Sequence, residues 1–150
     1  MIALGSILTP TDFSEASLSA TKYALEFAKA FDATLHLLHV IQMPVIFAPA
    51  GGYVADPKEF ESYAQTALEN WISPEDIGPV QIERRWVHGH PFVEILRDAK
   101  QHDIDLIVMG THGRGAIKHM LLGSVAEKVV RKAPCPVLVV RPTGHQLVMP

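Results

Sequence analysis

The sequence has a single cysteine, Cys135, among its 150 residues. An intramolecular disulfide is therefore excluded, and because nothing indicates an oxidising compartment, the chain is expected in the cytoplasm. Its first residues lack a basic segment and turn polar by Thr9, which argues against a secretory signal. No apolar run is long enough to span a bilayer, so no membrane partner is predicted.

An excess of positive charge is also missing. The 13 basic and 16 acidic residues leave a net charge of −3, so no nucleic-acid partner is predicted. Hydrophobic residues at 48% and charged residues at 19% exclude a disordered chain or a coiled coil. The length fits one domain over residues 1–150, with a loosely ordered tail over residues 142–150.

Motifs for metal binding and nucleophilic catalysis are absent from the sequence. The eight histidines form no HExxH or Cys/His cluster, and His36 and His39 should face opposite sides of a strand. We therefore predict no dedicated metal site. Cys135 lies between two prolines and is expected to pack as a small apolar residue. No serine lies in a Gly-x-Ser-x-Gly elbow, and no catalytic residue is predicted.

Strand and helix patterns alternate along the chain. Strands are predicted over residues 2–9, 33–40, 80–88, 104–109 and 137–141. Helices should follow Ser14, Asp56, Pro91 and Gly123, and residues 41–55 should form a mobile or lid-like loop. The crossovers predict an α/β fold, a doubly wound five-stranded parallel sheet with helices on both faces.

Two helices have clear apolar stripes. In the first helix the residues predicted to face inward are Ala20, Tyr23, Ala24, Phe27, Ala28 and Phe31. In the second they are Phe60, Tyr63, Ala64, Ala67, Leu68 and Trp71. The last helix has a pattern of Val125, Val129, Val130 and Ala133.

Residues 108–131 carry the main functional signal. Two residues separate Gly110 from Gly113, and nine separate Gly113 from the Gly123–Ser124 pair. Glycine backbone amides, together with the helix start near Ser124, suit a phosphate, and Gly113 and Gly123 are expected at positive φ. The alternative is a tight strand–helix connection, but residues 110–122 are long for that role. The Walker A and Rossmann patterns fit poorly.

This Gly-x2-Gly-x9-Gly-Ser spacing resembles the nucleotide-binding signature of the universal stress protein family, in its ATP-binding branch. The resemblance extends to Asp12 after the first strand and to the ending APCPVLVVR. It implies the strand order 3-2-1-4-5, which would open a ligand crevice between the first and fourth strands at their carboxyl ends.

The resemblance also implies site residues. Asp12 would contact the nucleotide, although it could instead cap the following helix. Arg114 lies in the nine-residue span, where a cation would offset phosphate charge, although it could instead belong to a solvated surface turn. A Mg²⁺ ion accompanying ATP would lie near Asp12 or Ser124. The full predicted set is Pro10, Thr11, Asp12, Val40, Met109, Gly110, Gly113, Arg114, Gly123, Ser124 and Val125.

The implied function is binding of ATP, or of ADP or AMP, by a nucleotide-responsive regulator in the stress response, with at most slow hydrolysis. A homodimer is expected through the fifth strand, Val137 to Arg141, because an apolar edge without charge or bulge favours pairing. The tail could instead cover that edge. Two alternatives stay open: a nucleotide-dependent enzyme using Asp12, His112 or His119 as a base, and a ligand-free interaction module.

Overall fold

The computed structural model describes residues 1–43, 55–112 and 122–142. Five parallel strands form one sheet in the order β3-β2-β1-β4-β5, which confirms the predicted fold class and strand order. The strands are β1 Ser6–Pro10, β2 Thr34–Ile41, β3 Ile82–His88, β4 Leu106–Gly110 and β5 Val137–Val140. The helices are α1 Glu15–Phe31, α2 Pro57–Asn70, α3 Pro74–Ile77, α4 Pro91–Gln101 and α5 Ser124–Lys132.

Local capping chemistry sets where the first two long helices begin. The Ser14 side chain accepts a hydrogen bond from the Ser17 amide at the start of α1. The Asp56 side chain does the same for Lys58 at the start of α2, where Pro57 occupies the first turn. Both predicted helix starts are therefore confirmed.

The helices divide between the two faces of the sheet. On one face, α1 and α2 cover a core that includes Ile7, Leu35, Leu37 and Val108. On the other face, α4 and α5 cover a second core that includes Leu8, Leu38, Ile107 and Met109. Since neighbouring residues of a strand point to opposite faces, each central strand is apolar on both sides. Within the described ranges, no helix is long and apolar enough to cross a membrane.

Several large side chains that were predicted to face inward are exposed, so the prediction is wrong for them. Tyr23 and Phe31 of α1 are 55% and 39% exposed, while Ala20, Ala24 and Ala28 are buried against the sheet. Small residues let a helix backbone lie close to a sheet, so the aromatic rings of this helix move to its flanks. Tyr63 of α2 is 57% exposed and Val130 of α5 is 46% exposed, so the inward prediction is wrong for them as well.

Element bounds also differ from the sequence prediction. The first strand begins at Ser6 instead of residue 2. It ends on Pro10, and proline is tolerated there because the last residue of a strand need not donate a backbone hydrogen bond to its neighbour. The other strands shift by up to two residues. The short helix α3 was not predicted. Residues 44–54 and 143–150 lie outside the described ranges, and with them most of the predicted lid-like loop and of the tail.

Candidate functional site

A cleft of about 750 Å³ opens at the carboxyl ends of β1, β2 and β4. Of the residues predicted to bind a ligand, those that line it are Pro10, Thr11, Asp12, Val40, Met109, Gly110, Gly123, Ser124 and Val125. The other two, Gly113 and Arg114, lie outside the described residues. The structure thus gathers into one cavity a set of residues from four separate segments of the sequence.

The sheet topology explains why the cleft opens here. β1 and β4 are neighbours, with Ile7 opposite Leu106 and Leu8 opposite Ile107. The chain leaves β1 toward α1 on one face and leaves β4 toward α5 on the other. The two connections diverge at this switch point, which leaves a crevice outside the strand ends.

The turn from β1 to α1 forms one wall of the cleft. The Thr11 amide donates to the Leu38 carbonyl (2.8 Å), and Thr11 Oγ1 accepts from the Phe13 amide (3.0 Å). Asp12 Oδ1 accepts from the Ser14 amide (3.0 Å) and from Ser17 Oγ (3.1 Å). Asp12 therefore supports the start of α1 while it also lines the cleft, so the two predicted roles are compatible in this geometry.

Close contacts within the protein exclude a side chain at Gly110 and leave little room for one at Gly123. A Cβ at Gly110 would lie 2.9 Å from the Ala16 carbonyl oxygen, so glycine there lets β4 pass close to α1. The Gly123 amide donates to the Thr111 carbonyl (2.7 Å), and a Cβ at Gly123 would lie 3.2 Å from that same oxygen. The φ of Gly123 is −67°, so the expected positive φ is wrong at this position.

Helix α5 points its amino terminus into the cleft. Its first residues, Ser124 and Val125, line the cavity, and its N-cap residue, Gly123, has no side chain with which to cap the first amides. Free amides and the positive end of a helix dipole attract an anion. The site can therefore hold a phosphate group without a dedicated basic side chain.

The charged side chains of the cleft also bear on how it could attract a phosphate group. The described lining residues include two carboxylates, Asp12 and Glu59, and two histidines, His39 and His112, but neither lysine nor arginine. His39 Nδ1 donates to the Thr11 carbonyl (2.8 Å). Two carboxylates alone would repel a phosphate, so among these residues the attraction comes from backbone amides, from hydroxyl or protonated imidazole groups, or from a bound cation.

Several lining residues were not predicted from sequence. They include Phe13, Ser17, Glu59, Phe60, Tyr63 and Thr111. Glu59, Phe60 and Tyr63 belong to α2, which reaches the cleft only through tertiary packing, so no local signal could have found them. Among the residues that the structure describes, no group of three His, Cys, Asp or Glu side chains could hold a metal ion.

Comparison with known proteins gives the family. The family model described as the universal stress protein family matches residues 4–141. The chain belongs to the universal stress protein family. The universal stress protein MJ0531 of Methanocaldococcus jannaschii is 39% identical over 137 residues, which cover 90% of this chain and 81% of that protein.

Solved structures of the family have the same fold. This chain is similar to the universal stress protein UspA of Lactobacillus plantarum, with a TM-score of 0.75, 28% identity, and coverage of 94% and 100% of the two chains. It is also similar to a universal stress protein solved in complex with cAMP, with a TM-score of 0.69, 27% identity, and coverage of 95% and 100%.

Proposed function

We propose that this universal stress protein binds ATP, or a related adenine nucleotide such as ADP or AMP, in the cleft and acts as a cytoplasmic, nucleotide-responsive regulator in the stress response. The observation that carries the proposal is the meeting of three features in one cavity: the Asp12 turn, the Gly110 and Gly123 connection, and the amino terminus of α5. The cAMP complex of a relative supports an adenine nucleotide as the ligand class.

The cleft offers a chemically suitable surface for each part of a nucleotide. The phosphates suit the start of α5, where Ser124 and Val125 present helix amides. The base suits the apolar wall of Val40 and Met109, and the ribose hydroxyls suit the Asp12 carboxylate. Arg114 would add positive charge, and a Mg²⁺ ion would bind beside the phosphates near Asp12 or Ser124.

A charge reversal at the start of α5 tests the proposal. Ser124 is the first residue of α5 and is exposed, so Ser124→Glu should leave the fold intact, because a carboxylate there favours the helix dipole. The same carboxylate should repel phosphate and weaken ATP binding by roughly tenfold or more. Calorimetry and thermal shift with ATP, ADP, AMP and cAMP measure the change.

The matched control adds the same charge elsewhere. Ser62 is an exposed residue of α2 that does not line the cleft, so Ser62→Glu should bind nucleotide as the unmodified protein does. Unchanged ATP affinity in Ser124→Glu would remove the α5 terminus from the site. Absence of any nucleotide-induced stabilisation in the unmodified protein would favour the ligand-free interaction module.

We propose slow hydrolysis at most. The Asp12 carboxylate accepts two hydrogen bonds from the α1 turn, which makes it a poor base for water. Phosphate release should therefore be far below the typical enzyme kcat of about 10 per second. Enzyme-like turnover that His112→Asn abolishes would establish the alternative, a nucleotide-dependent hydrolase or phosphotransferase.

We also propose a homodimer through β5. Within the described residues β5 pairs only with β4, so its outer edge is unpaired, and its four residues carry no charge. The Pro136 and Val140 carbonyls accept bonds from Ile107 and Thr111 of the β4 side. By alternation, the N–H of Val139 points to the open edge, where a second copy could pair antiparallel about a two-fold axis.

Light scattering tests the dimer. The unmodified protein should have twice the 16.5 kDa chain mass, and Val139→Pro should shift it to monomer by removing the outward N–H. Val139→Thr is the control, since it keeps the N–H and the β-branched shape, and it should stay dimeric. A monomeric unmodified protein at micromolar concentration would contradict the proposal.

A further inference from the structure

A group of charged and titratable side chains lies between α4 and the strands β2 and β3. We call it the His36 cluster, and its members are His36 on β2, Glu83 and Arg85 on β3, and Asp98 and His102 on α4. None of these residues lines the cleft. The proposed nucleotide site therefore does not account for them.

Arg85 joins α4 to the edge strand β3. Its Nε and Nη2 atoms donate to the two oxygens of Asp98 at 2.9 and 2.7 Å, and its Nη1 donates to Glu83 Oε2 at 3.2 Å. Asp98 is buried and the Arg85 side chain is 22% exposed, so this bidentate pair is largely, but not fully, shielded from water. His102 Nδ1 donates to the backbone carbonyl of Asp98 (3.1 Å). A second histidine therefore contacts the residue that pairs with Arg85.

His36 is the unsatisfied member of the cluster. It is 5% exposed, and its Nδ1 has no hydrogen-bond partner among the residues that the structure describes. The Oε2 atom of Glu83 lies 3.6 Å from Nδ1, and that same oxygen already accepts a bond from Arg85. The His102 ring is 5.7 Å from the His36 ring, centroid to centroid.

A proton on His36 would change the charge balance of this buried contact. With both histidines neutral, the cluster holds two carboxylates and one guanidinium. A protonated His36 would compete with Arg85 for Glu83 and would be a buried cation beside the Arg85 guanidinium. Burial, followed by the neighbouring Arg85 charge, lowers the pKa of His36, and the opposing effects of Glu83 and Asp98 do not reverse this shift.

We propose that the His36 cluster is a proton-sensitive contact, in which protonation of His36 loosens the packing of α4 on β2 and β3. The other end of α4 forms part of the cleft wall, where Pro91 and Ile95 line the cavity. Loosening α4 would therefore also deform the cleft. This effect on ligand affinity rests on the proposed function, whereas the effect on α4 itself does not.

The direction of the pH effect follows from linkage. An unfolded histidine titrates near pH 6.5, and His36 titrates lower in the folded protein. Below pH 6.5 the unfolded state binds the proton more tightly, so acidification favours unfolding. His36 stabilises the fold fully above pH 6.5, and this contribution is lost as the pH falls toward the lower folded pKa.

Urea denaturation at pH 7.5 and 5.5 compares the unmodified protein with His36→Leu. One linked proton changes the unfolding equilibrium constant by at most about tenfold per pH unit, and His36→Leu should lose that part of the pH dependence. His88→Gln removes an exposed histidine of β3 that pairs with Glu61 outside the cluster, and it should keep the His36 part of the dependence. If the leucine variant does not fold, His36→Gln serves in its place.

Hydrogen exchange localises the effect. At pH 5.5, amides of α4 should lose protection relative to amides of α1, after correction for intrinsic rates, and this difference should vanish in His36→Leu. Equal pH dependence of unfolding in the unmodified protein and His36→Leu, or equal α4 protection at both pH values, would overturn the proposal.

Measurements of ATP binding at two pH values separate the proposed nucleotide site from the proposed proton-sensitive contact. ATP affinity at pH 7.5 and 5.5 should fall more in the unmodified protein than in His36→Leu. His39 and His112 line the cleft in both proteins, so their own titration cancels in this comparison. If ATP binds at neither pH, the proposed function fails, while denaturation and exchange still decide whether the His36 cluster senses protons.

Discussion

The buried polar groups on the two faces of the sheet differ in charge. On the α1 and α2 face the fully buried polar side chains are neutral: Trp71 donates to Thr21 Oγ1 (2.9 Å), and Thr21 Oγ1 donates to the Ser17 carbonyl (2.7 Å). A charged group on that face, the part-buried Arg84 guanidinium, donates to the Leu68 carbonyl (3.1 Å) instead of to a buried carboxylate. On the α4 face, the Arg85 and Asp98 pair is fully charged. The charged pair lies beside the edge strand β3, where the Arg85 side chain keeps 22% of its surface in water.

Each face also buries one side-chain polar atom that has no hydrogen-bond partner among the described residues. These atoms are Thr9 Oγ1, on the same face as Ile7, and His36 Nδ1, on the α4 face. A hydroxyl does not titrate at ordinary pH, whereas an imidazole does. Of these two atoms, only the one on the α4 face can therefore respond to pH. The substitutions below test how each arrangement affects the free energy of unfolding.

The largest effect should come from breaking the charged pair. Asp98→Ala leaves the Arg85 guanidinium without its buried partner, which should lower the free energy of unfolding by about 2–4 kcal/mol. Urea denaturation measures this value at pH 7.5. The control is Glu127→Ala, which removes an exposed pair with Arg131 on α5 and should cost less than about 0.5 kcal/mol. Similar costs for both substitutions would mean that burial of the Asp98 pair contributes nothing extra.

A smaller effect is expected from Thr21→Val on the neutral face. Thr21 is 2% exposed, and valine keeps its shape while removing the hydroxyl that the Trp71 indole uses as acceptor. Loss of this bond should lower the free energy of unfolding by about 1–2 kcal/mol. A shift in Trp71 fluorescence on the same samples reports whether the indole has lost its partner. A neutral result would show that the indole finds another acceptor.

The smallest effect, with the opposite sign, should come from Thr9→Val. This is the same substitution on the same face, but the Thr9 hydroxyl has no partner among the described residues. Replacing an unbonded buried hydroxyl by a methyl group should raise the free energy of unfolding by up to about 1 kcal/mol. A loss comparable to that of Thr21→Val would indicate a hydrogen bond to Thr9 and would remove the contrast between the two threonines.

Much of the fold follows from local sequence signals. The alternation of strands and helices, the helix starts at Ser14 and Asp56, and the start of α5 at Ser124 depend on residues within a few positions of one another. Capping chemistry and apolar periodicity act over that distance, so they can be recognised without tertiary contacts. The strand order, by contrast, was available only through the resemblance to the universal stress protein family.

The sequence, with the family resemblance that it carries, also predicted a part of the cleft, because residues that directly follow parallel strands meet at one edge of a sheet. Only the tertiary structure decided why Gly110 must be glycine, since the Ala16 carbonyl that it meets belongs to α1. The same holds for the outward rings of Tyr23 and Phe31, and for the Arg85 and Asp98 pair. Contacts between elements depend on how closely backbones approach, and periodicity along one chain segment carries no information about that distance.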